Sequence, residues 1–126
     1  MNRLRVLVAE DHSAMRDCIV NILSKDFEVI EAVSNGEDLV AAAVTHNPDI
    51  IVSDVCMPRL GGVHALLRLR AADVLIPFVL VTTDEELVSR IKLPLACCIS
   101  KADMPRRLNA AVRQIESQKE VEFSCS

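Results

Sequence analysis

Residues 48–58 read Pro48-Asp49-Ile50-Ile51-Val52-Ser53-Asp54-Val55-Cys56-Met57-Pro58. The near-continuous apolar run from Ile50 to Ser53 is the pattern of a strand buried on both faces. Asp54 stands at its end. A carboxylate beside a buried strand costs free energy unless something pairs with it. Either Asp54 is a solvated loop residue, or the rest of the chain supplies its partners.

Outward from this stretch the same alternation repeats. Strands are predicted at Leu4–Ala9, Phe27–Ala32, Phe78–Thr82 and Leu95–Ser100. Helical spacing of apolar residues predicts helices at Ser13–Lys25, Glu37–His46, Gly62–Ala72 and Met104–Gln118. A short helix is expected at Asp84–Ile91, stopped by Pro94. Ser13 and Asp103 are read as caps of the first and last helices. The first carries Met15, Cys18, Ile19, Ile22 and Leu23 on one face, and the last carries Leu108, Ala111, Val112 and Ile115. Five strands alternating with five helices imply an α/β fold, a doubly wound parallel sheet covered on both faces. In such sheets functional groups gather at the carboxyl ends of the strands.

Composition narrows the class. A chain of 126 residues suggests one domain and can bury a core without disulfide or metal staples. It is 51% hydrophobic, too apolar for a disordered segment. No apolar run reaches the length of a membrane span, and MNRLRVLVAED turns acidic before a signal-peptide core could form. The net charge of -4, without a basic run, argues against direct nucleic-acid binding by this domain. The cysteines, at 18, 56, 97, 98 and 125, form no CxxC pair. They read as reduced thiols of a cytoplasmic protein, all five as small core residues. Cys97 and Cys98 are neighbours in one strand and should face opposite ways. His12, His46 and His64 are far apart in sequence and read as surface or capping residues rather than ligands.

The strand ends carry Glu10-Asp11, Asp54, Thr82-Thr83 and Ser100-Lys101. If the first and third strands are neighbours, three carboxylates converge and repel one another. A hard divalent cation removes that conflict, and oxygen ligands without His or Cys favour Mg²⁺, with Mn²⁺ as a substitute. A lysine and a hydroxyl at the remaining strand ends suit the oxygens of a phosphoryl group. No separate nucleophile is evident, so a carboxylate itself must accept the phosphate.

In VLVAEDH, IVSDVCMPRLGG, VLVTT and CISK, taken in order, the chain resembles the receiver domains of bacterial two-component response regulators. The resemblance covers residues 3 to about 118 and leaves 119–126 as a tail or the start of a linker. It implies the flavodoxin-like receiver fold with strand order 2-1-3-4-5. It implies that Asp54 is the phosphoacceptor and Asp11 a direct metal ligand, with Glu10 helping through water. The backbone carbonyl of Cys56 would be a further ligand. Thr82 would be the switch hydroxyl and Lys101 the ion-pair partner of the phosphoryl group. Gly62 sits where the family needs a permissive backbone. A sensor histidine kinase or phosphotransfer protein is the implied phosphodonor, and a homodimer through the last helix region is an implied partner state.

The chain also departs from the family. Ala102 follows Lys101, where many receivers have proline; EDH with SKAD is similar to the subfamily with a helix-turn-helix output domain. The aromatic switch position, three residues before Lys101, is Cys98, and the chain has no Tyr or Trp. The segment from Asp84 to Leu95 lacks the usual Gly-Ala pair, so the fourth helix should be short. Cys56 and Asp84 lie two residues beyond Asp54 and Thr82, where the family tunes the lifetime of its acyl phosphate.

The expected function is a phosphorylation-controlled switch, not an enzyme in its own right. It would be capable of limited self-catalysed phosphorylation and dephosphorylation, and would control transcription through an output domain absent from this chain. The alternative is a phosphorylation-independent interaction module, favoured by the missing aromatic and opposed by the intact acidic set. A phosphohydrolase would need Asp where Cys56 stands, and a flavin carrier would need a phosphate-binding first loop in place of Glu10-Asp11.

Overall fold

The computed structural model of the chain describes residues 3–124, and side chains as far as Gln118. Five parallel strands, β1 (Arg5–Ala9), β2 (Glu28–Val33), β3 (Ile50–Asp54), β4 (Phe78–Thr82) and β5 (Ala96–Ser100), form one sheet in the order β2-β1-β3-β4-β5. They alternate with α1 (Ser13–Ser24), α2 (Gly36–His46), α3 (Gly62–Ala71), α4 (Glu85–Arg90) and α5 (Met104–Ser124).

Successive strand residues point to opposite faces, so the sheet builds two cores. On one face Val6, Val8, Ile50, Val52, Val79 and Val81 meet Ile19 and Leu23 of α1 and Leu108, Val112 and Ile115 of α5. On the other, Leu7, Ile51, Phe78 and Leu80 meet Leu39 of α2 and Ala65, Leu66 and Leu69 of α3. Every residue of β3 and β4 is buried, whereas the edge strand β2 has no buried residue. Burying one such Leu or Ile contributes about 1.5–3 kcal/mol, so the central strands are held mainly by their packing.

Cys97 joins the first core and Cys98 the second, the opposed orientation expected of neighbours in a strand. The fourth helix is short, at six residues, and none of them is buried. Three local expectations need correction. The residue capping α1 is His12, not Ser13, and it offers no side-chain hydrogen bond. Asp103 does not cap α5; residues Lys101–Asp103 form a 3-10 turn that runs straight into it, capped by the Ser100 hydroxyl accepting from the Ala102 N–H at 3.2 Å. The last helix does not stop at Gln118 but continues through Ser124, a stretch rich in helix-favouring Lys and Glu. Residues 125–126 of the expected tail lie outside the described residues.

Candidate functional site

The strand register sets the site. Ala9 pairs with Ser53, so the residues that follow each, Glu10 and Asp54, emerge side by side. Thr82 pairs with Ser100, which brings the Thr82 hydroxyl and the start of the Lys101 turn to the same rim.

Lys101 joins the two halves. Its Nζ donates to Glu10 Oε1 at 2.8 Å and to Asp54 Oδ2 at 3.0 Å. Glu10 is fully buried and Asp54 is 6% exposed, so both carboxylates depend on this ammonium for neutralisation. Burial pushes the Glu10 carboxyl above its ordinary value, against the lowering effect of the Lys101 hydrogen bond; the nearby Asp54 charge adds to the rise. Burial alone would lower the Lys101 ammonium, but its hydrogen bonds to Glu10 and Asp54 outweigh that and hold it above the ordinary lysine value. The two oxygens of Glu10 have different duties. Oε1 takes Lys101, while Oε2 accepts from the His12 N–H at 3.2 Å. The Glu10 carbonyl accepts from Arg16 at 2.9 Å, which fixes the start of α1 against the site.

Asp54 is held through the backbone as well. Its Oδ1 accepts from the Cys56 N–H at 3.3 Å, and its carbonyl accepts from the Ser53 hydroxyl at 2.9 Å. Gly62 packs against that same carbonyl. A Cβ there would sit 2.2 Å from the Asp54 oxygen and 2.8 Å from Ser53 Oγ. Gly62 is therefore required by close approach; among the described glycines none has positive φ, so conformational permissiveness is not the reason. Gly36, at the head of α2, abuts the Leu60 carbonyl in the same loop, where a Cβ would come within 2.1 Å.

Thr82 is buried, and its Oγ1 accepts from the Asp84 N–H at 3.0 Å. The Asp84 carboxylate is turned the other way, accepting from the Glu86 N–H at 3.0 Å as the cap of α4. Asp84 is thus engaged in shaping the helix start rather than directed at Asp54. The Cys56 side chain is exposed at the mouth of the loop and Cys18 is exposed on α1, so these two are not the core residues the sequence suggested.

Two groups were not legible as site residues. His12, read as a surface or capping residue, is both, and it also places Nδ1 3.6 Å from Asp11 Oδ1 and 3.8 Å from Glu10 Oε2. Glu10, Asp11 and His12 each offer a ligand atom, all within 4.8 Å of one another, and Asp54 stands outside that cluster. The signal was present in the sequence as three consecutive residues, EDH. Arg70 is the other. It leaves the apolar face of α3 to donate to the carbonyls of Val74, Ile76, Pro94 and Leu95, at 3.0, 2.8, 3.3 and 3.4 Å, with its guanidinium over the Phe78 ring. It clasps the segment that enters β5, where Leu95 adopts a left-handed φ of 55°. A charge on an apolar stripe was its only trace.

An acid-lined strand edge with a bridging lysine and a hydroxyl on this strand order agrees with the family comparison. The model of the response regulator receiver domain matches residues 6–113. This chain belongs to that family. The receiver is 32% identical over 124 residues to the alkaline phosphatase synthesis transcriptional regulatory protein PhoP of Bacillus subtilis (strain 168), covering 96% of this chain and 51% of that protein. It is 31% identical over 119 residues to the response regulator UvrY of Escherichia coli (strain K12), covering 90% and 55%. The receiver thus spans about half the length of these curated relatives. Among solved structures, the signal receiver domain of the response regulator NarL from Mycobacterium tuberculosis superposes with a TM-score of 0.82 at 20% identity, over 93% of this chain and 98% of that one, which shows the shared fold. Receiver domains are signalling modules of two-component systems that interact with histidine kinases or phosphotransfer proteins. No helix among the described residues is long and apolar enough to cross a membrane.

Proposed function

We propose that this receiver accepts a phosphoryl group on Asp54 from a histidine kinase or phosphotransfer protein, in a Mg²⁺-dependent reaction, and acts as a cytoplasmic signalling switch. The observation that carries the reading is the Lys101 ammonium held between Glu10 and Asp54. Two buried carboxylates sharing one cation make a site that gains from a second positive charge, and its donors are oxygens suited to a hard ion. Asp11, Asp54, the Cys56 carbonyl and, through water, Glu10 would hold Mg²⁺. When bound, that ion supplies charge that neutralises the phosphoryl oxygens during transfer.

The chain's own residues do the rest. An Asp54 carboxylate oxygen attacks phosphorus while the bond from phosphorus to the donor breaks, leaving an acyl phosphate. Lys101 exchanges part of its carboxylate contact for a phosphoryl oxygen. Thr82 gives up its role as acceptor for the Asp84 N–H and donates its hydroxyl proton to the phosphoryl group. That motion releases the turn capping α4, so the change reaches the surface through backbone, without the aromatic that Cys98 replaces. Residues 1–118 form the receiver domain in this reading, with 119–126 opening a linker to an output domain that controls transcription, and two copies pair through the last helix region.

The assembled acid pair, lysine and hydroxyl count against a phosphorylation-independent module. The test is treatment with a small-molecule phosphodonor and Mg²⁺ followed by intact-mass measurement. Wild type should gain one phosphoryl group and Asp54→Asn should gain none. Equal labelling of both, or of neither, would overturn the proposal.

A further inference from the structure

The edge of the site nearest α1 carries a nitrogen donor that the oxygen-only ligand set leaves out. His12 caps α1 with its backbone fixed at both ends: its N–H donates to Glu10 Oε2, and its carbonyl accepts from the Arg16 N–H at 2.8 Å. The imidazole is 79% exposed, so it is held by neither core, and its Nδ1 faces the two carboxylates. Lys101 occupies Glu10 Oε1 and leaves Oε2 on the His12 side. Asp11 is partly open to solvent, with its side chain 31% exposed, which gives an ion a way in. The three ligand atoms lie within 4.8 Å of one another, so a small rotation of the exposed imidazole brings its nitrogen to an ion bound at Asp11.

We infer that His12 lends its imidazole nitrogen to the cation that Asp11 holds in this acid pocket, so that the site gains more affinity for a first-row transition ion such as Mn²⁺ than for Mg²⁺. The inference rests on the reading of the acid pair as metal ligands. Mg²⁺ demands oxygen donors and keeps its waters, so a nearby imidazole adds little to its binding. Transition ions accept imidazole readily and gain from it. If the ring served only as an imidazolium beside two carboxylates, it would oppose both ions alike.

Binding of Mn²⁺ and of Mg²⁺, the second by competition, is measured by electron paramagnetic resonance on wild type, His12→Gln and Asp11→Asn. Pulsed measurements on bound Mn²⁺ read nitrogen hyperfine coupling directly, without any turnover. The expected result is nitrogen coupling in wild type that is lost in His12→Gln, with Mn²⁺ affinity down at least about tenfold and Mg²⁺ affinity changed by less than about twofold. Absence of nitrogen coupling in wild type, or an equal change for both ions, overturns the role of His12 and leaves the acid pair standing. Mn²⁺ affinity that survives Asp11→Asn unchanged overturns the ligand reading itself, and the His12 role with it.

Discussion

The rim at β1 and β3 and the rim at β4, α4 and β5 belong to one sheet but are built by different rules. At the first, two carboxylates are buried and share a cation: Glu10 and Asp54 divide one lysine, and the loop after Asp54 is pinned by glycine contacts. At the second, α4 has six residues and buries none, Val88, Ile91 and Leu93 only partly pack, and Leu95 sits in a left-handed conformation under the Arg70 clasp. The chemistry is over-determined where charges must be paired. The outward-facing side is held by a few contacts.

The contrast can be broken most forcefully at Lys101. Lys101→Met leaves two buried carboxylates without their cation and should cost about 3–5 kcal/mol in urea unfolding. Asp54→Asn removes one of the two competing charges and should be neutral or stabilising; a large loss there would contradict the account of a shared cation. Gly62→Ala drives a Cβ into the Asp54 carbonyl and should cost about 1–3 kcal/mol by the same measurement. On the weaker rim, Arg70→Lys should lose about 2 kcal/mol, because one ammonium cannot reproduce a fork serving four carbonyls. Rescue to wild-type stability by lysine would show that charge alone suffices. Val88→Ala, on the thinly packed helix, should cost less than about 1 kcal/mol. A cost as large as a buried Leu66→Ala, about 2–5 kcal/mol, would erase the difference between the rims.

The smallest effect is kinetic. Burial pushes the Cys97 and Cys98 thiols up to about 11, so at pH 8 both should react slowly with an alkylating reagent, while exposed Cys18 and Cys56 react quickly. If phosphorylation reshapes the weaker rim, Cys98 labelling should accelerate in phosphorylated protein. An unchanged rate would place the conformational change elsewhere.

How much of this was legible depends on range. Ile50 to Asp54 declared a central strand because burial on both faces leaves an apolar run, and the strand-end acids followed from the alternation around it. The short fourth helix was readable from Pro94. The choice of His12 over Ser13 as the cap of α1 and the absence of an Asp103 cap were not, because capping depends on which residue turns, and several neighbours compete. Arg70 was hidden for another reason. Its partners are carbonyls from Val74 to Leu95, and backbone acceptors leave no mark in residue identity. The nearness of His12 to two carboxylates needed the geometry of the turn after β1.

Gly36, Gly61 and Gly62 are all the glycines of the chain, and each would drive a Cβ into backbone between Asp54 and Leu60. The loop after Asp54 is therefore pre-organised: its entropy is lost when the chain folds, not when a partner arrives. With Asp54 as the proposed phosphoacceptor, a donor as small as a simple acyl phosphate, with little surface to offer in binding, would still meet a carboxylate already in place.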